Sequence, residues 1–316
     1  MPLVSLKLHE LQRVPTTATN PHHPHAEGAS LPAIPHEIGA ARFDLILRRL
    51  ADDLTGGADP SRFVGPGVDF AQSRPWAHGD SVRRIDWRVT ARSGTVHVKE
   101  FEAPKRAGLY LVVDTSGSMN VSSVPLSKHD AAVWLAGALA LVGLRRRSPV
   151  CILGAGDRGV PTTPTLSRGR VWTWIRHLRA PAHHERTRLS ERLTQVETIA
   201  KHTSVVIVLS DLHDPGAIGI LRRLGAIHDV IVLRLTDPAE CTPLRAGFLH
   251  AGEAETGTSF LTSSRRIPSA AARAASDAED LGRARVQLTE VRTDGPVIAT
   301  VRHALNAHAG TLGRSR

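Results

Sequence analysis

The sequence has few of the residues that define disulfide-rich and metal-thiolate proteins. Its only two cysteines, Cys151 and Cys241, stand far apart and lack the CxxC spacing of a zinc or redox site. No disulfide framework is expected, which fits a reducing compartment. Cys151 begins an apolar run, so it is predicted to be a small core residue and not a nucleophile.

A membrane-spanning segment and a secretory signal are also missing. The most apolar long segment, Ala131 to Leu144, is bounded by Asp130 and Arg145 and is too short to cross a bilayer. The amino terminus lacks the basic-then-apolar order of a signal peptide. We therefore expect a cytoplasmic protein without a membrane span, in which Ala131 to Leu144 forms a core helix.

Nucleotide-binding loops are absent as well. The chain contains no GxxxxGK[ST] loop, so any ATP hydrolysis must belong to another protein. Gly154-x-Gly156-x-x-Gly159 matches a dinucleotide-binding pattern only superficially. Pro161 and Pro164 follow it and prevent the phosphate-binding helix that such a site requires.

Basic residues exceed acidic ones, 40 Lys and Arg against 30 Asp and Glu, for a formal charge of +10. The excess is spread along the chain and consists mostly of arginine, and clusters such as Arg145 to Arg147 end predicted helices, where cations complement the helix dipole. A nucleic-acid-associated basic module is therefore the alternative function, and nucleic acid is not the favoured partner.

The most informative stretch is the apolar run Leu109 to Val113, which is followed directly by Asp114, Ser116 and Ser118. Consecutive β-favouring apolar residues are typical of a central parallel strand covered on both faces, and ligands bind beyond the carboxyl ends of such strands. In an extended loop, side chains two apart point the same way, so these three oxygens are expected to converge. Hard oxygen donors suit Mg²⁺ or Mn²⁺.

Two further residues extend this candidate metal site. Asp211 follows a second apolar run, Val205 to Leu209, and Thr187 lies in a polar stretch before a predicted helix. The alternative is that Asp114 to Ser118 forms only a turn that caps the next helix. The hypothesis is a magnesium site made by Asp114, Ser116, Ser118, Thr187 and Asp211.

The rest of the chain predicts an α/β fold with a mainly parallel sheet, because apolar runs alternate with helical patterns. The last strand is expected at Ala284 to Leu288. Phe43, Leu47, Leu50 and Leu54 define an amphipathic helix after a proline- and histidine-rich segment. The predicted organisation is a flexible leader at 1–36, an N-terminal block at 37–107, the α/β domain at 108–310 and a tail at 311–316.

These motifs resemble two known arrangements. Asp114-x-Ser116-x-Ser118 with Thr187 and Asp211 is similar to the metal-ion-dependent adhesion site of von Willebrand factor A domains. Arg74-Pro-Trp76, Gly79-Asp80-x-x-Arg83-x-Ile85-Asp86-Trp87, Ala91-Arg92 and Lys99-x-Phe101-Glu102 resemble the block that precedes such a domain in the domain-of-unknown-function 58 family. The resemblance implies a von Willebrand factor A-like, Rossmann-type fold with a small N-terminal appendage of helix and strand.

The resemblance also implies a function. Members of that family are associated with MoxR-type AAA+ ATPases, so the expected protein is a non-enzymatic adaptor that acts with such an ATPase in the maturation or remodelling of a client. The client would supply an acidic residue to the bound metal. A metal-dependent hydrolase is a further alternative, with His213 as its base beside Asp211 and Asp214.

The N-terminal block has its own expected chemistry. Asp80, Arg83 and Asp86 are predicted to form an internal network. Trp76 and Trp87 are expected to be buried against the α/β domain, because two indoles are too apolar to be left exposed together. The roles of Arg88 and Arg92 stay open between the network and a surface that recognises a partner's acidic segment.

Overall fold

The structure is a computed structural model that describes residues 40–55, 70–77, 80–82, 85–101, 107–157, 163–180, 185–241, 248–252, 259–263 and 270–312. The predicted leader, residues 1–36, lies outside the described residues, as does Arg83. The described chain divides into two compact units. One contains the described parts of residues 64–107, and the other contains residues 40–55 and the described residues from Gly108 onward.

A five-stranded parallel sheet forms the centre of the larger unit. Its strands are β3 (Leu109–Val113), β4 (Val150–Gly154), β5 (Val205–Ser210), β6 (Asp229–Thr236) and β9 (Gln287–Arg292), in the spatial order β4-β3-β5-β6-β9. All neighbouring pairs in this sheet are parallel. This confirms the predicted α/β class and the von Willebrand factor A-like, Rossmann-type architecture.

Helices cover both faces of the sheet. They are α1 (Ala40–Thr55), α3 (Lys128–Arg145), α4 (Arg168–Arg179), α5 (Leu189–Ile199), α6 (Ala217–Gly225), α7 (Pro238–Cys241), α8 (Ala270–Arg283) and α9 (Val297–Leu312). Leu111 and Val113 of β3 join the core with α1, α3, α4 and α9, whereas Tyr110 and Val112 join the core with α5, α6 and α8. The alternation follows from the two-residue period of a strand.

The helix α3 is buried on all sides, as its uniformly apolar sequence predicts. Every residue from Ala131 to Leu141 is buried. The amphipathic α1 packs Leu47, Leu50 and Leu54 into the same core as α3. A Cβ at Gly137 would lie 2.7 Å from Leu47, so glycine at this position allows α1 to approach α3 closely.

The strand β9 differs from the prediction of a strand at Ala284 to Leu288. The helix α8 continues to Arg283, and Arg285 has a positive φ of 59°, so the chain turns before β9 begins at Gln287. The strand lies at the edge of the sheet and carries polar residues, so its bounds cannot be recognised from an apolar run. An antiparallel hairpin of β7 (Phe248–Gly252) and β8 (Ser259–Ser263) also belongs to the larger unit.

The smaller unit contains an antiparallel pair, β1 (Phe70–Pro75) and β2 (His97–Phe101), and the short helix α2 (Trp87–Ser93). Asp86 caps α2 by accepting hydrogen bonds from the backbone N–H groups of Arg88 and Val89, and Gly94 ends the helix in the left-handed conformation. This unit contains the helix and strands of the predicted appendage, and the second part of the larger unit begins at Gly108. The helix α1, grouped with the block in the sequence prediction, belongs to the larger unit.

Candidate functional site

Three of the predicted ligands lie together in the loop that follows β3. Asp114, Ser116 and Ser118 are 1%, 0% and 8% exposed. The Ser116 N–H donates to Asp114 Oδ1 at 3.0 Å, and the hydroxyls of Ser116 and Ser118 share a hydrogen bond of 3.1 Å. The expected extended loop is wrong beyond Ser116, because Gly117–Asn120 forms a short 3₁₀ helix. Its tight turn brings the Ser118 hydroxyl back to Ser116.

Asp211 lies beside this loop because β5 is the neighbour of β3. The Asp114 N–H donates to the Leu209 carbonyl at 2.9 Å, and the Ser210 hydroxyl donates to Asp114 Oδ2 at 2.6 Å. Asp211 is 3% exposed. Among the described residues, its Oδ1 is buried without a hydrogen-bond partner. The topology therefore places two buried carboxylates from adjacent strand ends next to each other.

The loop before α5 brings Thr187 to the same edge of the sheet. The Gly117 N–H donates to the Glu185 carbonyl at 2.8 Å, and the Thr115 hydroxyl donates to Glu185 Oε2 at 2.7 Å. These bonds attach the 185–188 segment to the loop of Ser116 and Ser118. Within the described part of the chain, the Thr187 hydroxyl oxygen is buried and makes no hydrogen bond. The sequence-predicted residues are thus gathered on three touching loops.

Gly156 allows this close approach of loops. An added Cβ would lie 2.2 Å from Glu185 Oε2 and 2.3 Å from Thr115 Oγ1. A side chain at residue 156 would therefore displace the Thr115–Glu185 hydrogen bond. Gly156 belongs to the Gly154-x-Gly156-x-x-Gly159 pattern, which only superficially matches a dinucleotide-binding site. Glycine is required at residue 156 because Glu185 lies so close to it.

Lys128 is a residue of this site that the sequence prediction missed. Its side chain is 0% exposed, and its ammonium group donates to Asp211 Oδ2 at 2.9 Å and to Glu240 Oε1. Buried lysines are rare unless they are paired with carboxylates. The sequence signal for a buried Lys128 was weak. The lysine follows the capping residue Ser127 and precedes a long apolar run by three residues, a pattern that is equally typical of a solvated helix terminus.

The surroundings of the two carboxylates shift their pKa values in opposite directions. Burial and the negative charge of Asp211 raise the pKa of Asp114 to about 6, against the lowering effect of its hydrogen bonds to Ser210 and Ser116. Burial also acts to raise the pKa of Asp211, but the charges of His213 and Lys128 outweigh it and hold that pKa well below its usual range. Asp211 therefore has counter-charges within the chain, whereas Asp114 has only hydrogen-bond donors.

The donor set fits a hard divalent cation that keeps part of its hydration shell. Two carboxylates and three hydroxyls supply only oxygen atoms, which Mg²⁺ prefers, and the unpartnered Asp211 Oδ1 and Thr187 Oγ1 are free to accept a cation. Across the described ranges, no group of three or more His, Cys, Asp or Glu side chains is placed to hold a metal. Mg²⁺ commonly keeps several bound waters, so a cation held by this set would retain open coordination positions.

The model of the family described as "Protein of unknown function DUF58" matches residues 72–280, about two thirds of the chain. The chain belongs to the DUF58 family. It is also 28% identical over 222 residues to the uncharacterized protein Rv1480 of Mycobacterium tuberculosis strain H37Rv and to the uncharacterized protein Mb1516 of Mycobacterium bovis. Each alignment covers 68% of this chain and 69% of the mycobacterial protein.

His213, the candidate general base of a hydrolase, lies beside Asp211 in this DUF58 protein. Its Nδ1 lies 3.0 Å from Asp211 Oδ2 but is not aligned for a hydrogen bond. The charge of Asp211 raises the pKa of His213 despite the opposing effect of burial. Asp214 is engaged elsewhere, since it accepts hydrogen bonds from the N–H groups of Ser190 and Gly216 at 2.8 and 2.9 Å. His213 is therefore paired with Asp211, whereas Asp214 is bound to backbone N–H groups.

The DUF58 block in the smaller unit contains the expected ion-pair chemistry at Asp80, and Arg83 of the predicted network lies outside the described residues. Arg74 makes a bidentate ion pair with Asp80 at 2.7 and 2.8 Å, and Asp86 accepts a hydrogen bond from Ser73 at 2.8 Å. The expectation of buried tryptophans is wrong, because Trp76 is 41% and Trp87 68% exposed. The helix α2 buries none of its residues, so the Trp87 indole is left at the surface.

One finding bears on the membrane. Over the part of the chain that is described, no helix is both long enough and apolar enough to span a bilayer.

Proposed function

We propose that this DUF58 protein is a non-enzymatic, metal-dependent interaction protein that holds Mg²⁺ or Mn²⁺ and uses it to bind an acidic residue of a partner. Asp114, Ser116, Ser118, Thr187 and Asp211 would hold the ion. The observation that carries the proposal is the pair of unpartnered buried oxygens, Asp211 Oδ1 and Thr187 Oγ1, on loops attached to the Asp114 loop.

Energetics support a cation at this position. An unsatisfied buried acceptor costs about 1–3 kcal/mol. Among the described residues, two such acceptors, Asp211 Oδ1 and Thr187 Oγ1, lie on loops attached by hydrogen bonds to the loop of Asp114. A divalent ion removes these costs together. When bound, the ion would supply a Lewis-acidic centre with an open position for an anion, and this chain's own residues would orient it and exclude water on the buried side.

The expected partners follow from the resemblance to other family members. They are a MoxR-type AAA+ ATPase and a client protein that supplies the acidic residue, so the protein would act as an adaptor in the maturation or remodelling of a client complex.

Two measurements test the proposal. Isothermal titration of the full chain with Mn²⁺ should show one site, and Asp114→Ala should abolish it. Affinity capture from native cells should recover the ATPase and client in Mg²⁺ and lose them in chelator, since metal and partner binding are linked. Equal recovery in Mg²⁺ and chelator would show that Asp114 to Ser118 serves only as a turn and helix cap.

A further inference from the structure

Lys128 introduces a permanent positive charge into the candidate metal site. It occupies the first position of α3, and its ammonium group connects Asp211, which follows β5, to Glu240 on α7, which follows β6. Burial lowers the pKa of Lys128, but Asp211 and Glu240 outweigh burial and raise it. The ammonium group is therefore paired with two carboxylates inside the fold.

The ammonium group divides the roles of the two Asp211 oxygens. Oδ2 accepts the hydrogen bond from Lys128, whereas Oδ1 has no partner among the described residues. The charge of Asp211 is thus already balanced by Lys128. A divalent ion near Asp114 would add two positive charges close to an existing one, in an environment where the side chains of Lys128 and Asp211 are 0% and 2% exposed.

We propose that Lys128 is a built-in cation that orients Asp211 and weakens the affinity of the site for a divalent ion, so that firm binding requires an anionic group from a partner. This inference rests on the proposed function. Lys128 acts as a positioning residue: it leaves Oδ1 available, and its charge leaves an excess of positive potential once the ion is bound. A partner carboxylate removes that excess, which couples metal binding to partner binding.

Glu240 reduces the effect of the Lys128 charge on the affinity for a divalent ion. Its side chain is 30% exposed and shares the ammonium group with Asp211, so it offsets part of the lysine charge from the solvent side. Removal of the Glu240 charge should therefore act in the opposite direction to removal of the Lys128 charge. This opposition gives the inference a signature that a structural role for Lys128 does not produce.

The test is isothermal titration of the full chain with Mn²⁺ for the wild type and three variants. Lys128→Met should bind Mn²⁺ more tightly by on the order of tenfold, a typical coupling between charged sites. Glu240→Gln should bind it more weakly by about threefold or more, because the lysine charge is then less balanced. Lys128→Arg keeps the charge and should bind like the wild type.

A matched control is available in Glu197→Gln. Glu197 is 27% exposed and pairs with Arg223 at 2.9 Å, at the carboxyl ends of α5 and α6. Helices that connect parallel strands end at the opposite edge of the sheet from the site, so this change of charge should leave Mn²⁺ affinity unaltered. Acetate, as a probe carboxylate, should strengthen Mn²⁺ binding by the wild type more than by Lys128→Met.

The outcomes separate the two proposals. Mn²⁺ affinity that is unchanged or weaker in Lys128→Met overturns this inference while wild-type binding upholds the metal site. If Lys128→Met does not fold, Glu240→Gln decides the matter, and an unchanged or higher affinity of that variant overturns the inference. An absence of Mn²⁺ binding by every form overturns the metal site and this inference together.

Discussion

Replacement of Asp114 by asparagine should stabilise the protein in the absence of metal, although it removes a residue of the candidate site. In the folded protein, burial and the charge of Asp211 raise the pKa of Asp114 to about 6 from an ordinary value of 3.8. Ionisation of such a carboxyl costs the folded state about 3 kcal/mol at pH values above its folded pKa. Asparagine carries no charge and avoids that cost.

Asparagine can keep the hydrogen bonds of the protonated carboxyl. Asparagine Oδ1 can still accept from the Ser116 N–H, and its amide can donate to the Ser210 hydroxyl. The raised pKa of Asp114 already includes the effect of these hydrogen bonds on the ionised carboxyl. In chelator at pH 8, the Asp114→Asn variant should therefore be more stable than the wild type by about 3 kcal/mol.

The pH dependence has a definite sign. Because the folded pKa of Asp114 is raised, the folded state binds more protons than the unfolded state between about pH 4 and 6, and its stability falls as pH rises through that window. The stability difference between variant and wild type should be absent near pH 4 and reach its full size above pH 6. Urea unfolding in chelator at intervals from pH 4 to 8 measures this difference.

Asp157→Asn serves as the control. Asp157 is 45% exposed, and its hydrogen bond from Arg188 lowers its pKa, so its pH effect should be small and opposite in sign. Addition of Mn²⁺ should stabilise the wild type at pH 8 and leave the Asp114→Asn variant unchanged. A variant that is less stable than the wild type at pH 8 in chelator, or a difference independent of pH, would refute the reasoning.

Three other perturbations test separate parts of the structure. Trp87→Ala should cost less than about 1 kcal/mol of unfolding free energy because the indole is 68% exposed, whereas Trp134→Ala, at 0% exposure, should cost about 3–5 kcal/mol; equal losses in urea unfolding would contradict this assignment. Gly156→Ala should cost about 1–3 kcal/mol and weaken Mn²⁺ binding, because its Cβ would lie 2.2 Å from Glu185 Oε2; unchanged calorimetric binding would show that the loop adjusts freely. Burial lowers the pKa of His228, so stability should fall as pH drops below about 6.5, and a His228→Gln variant with an unchanged acid slope would exclude this histidine as the cause.

The chain order of apolar runs determined most of the fold. The strands β3 to β6 are apolar runs covered on both faces, and α3 is apolar on every side, so local pattern and burial agree. The parallel sheet then follows from the alternation of strands and helices. The predicted strand at Ala284 to Leu288 overlaps the edge strand β9 only at its first residues, because a partly exposed strand has no continuous apolar run that marks its bounds.

The same reasoning located Asp114 and Asp211, since acids that end adjacent parallel strands meet at one edge of the sheet. It could not place Lys128, Glu185 or Gly156. Each acts through a partner more than 25 residues away along the chain, and only the strand order β4-β3-β5-β6 brings those partners within contact.

Burial of single side chains was also decided by the tertiary structure. The apolar character of Trp87 and its neighbours predicted a buried indole, whereas the structure of the antiparallel strands and the short helix α2 leaves this indole exposed. Lysine is usually exposed, but Lys128 is buried because the carboxylates of Asp211 and Glu240 stabilise its positive charge in place of water. Residue type sets the free-energy cost of burial, and the partners that offset this cost come from distant segments that only the fold brings together.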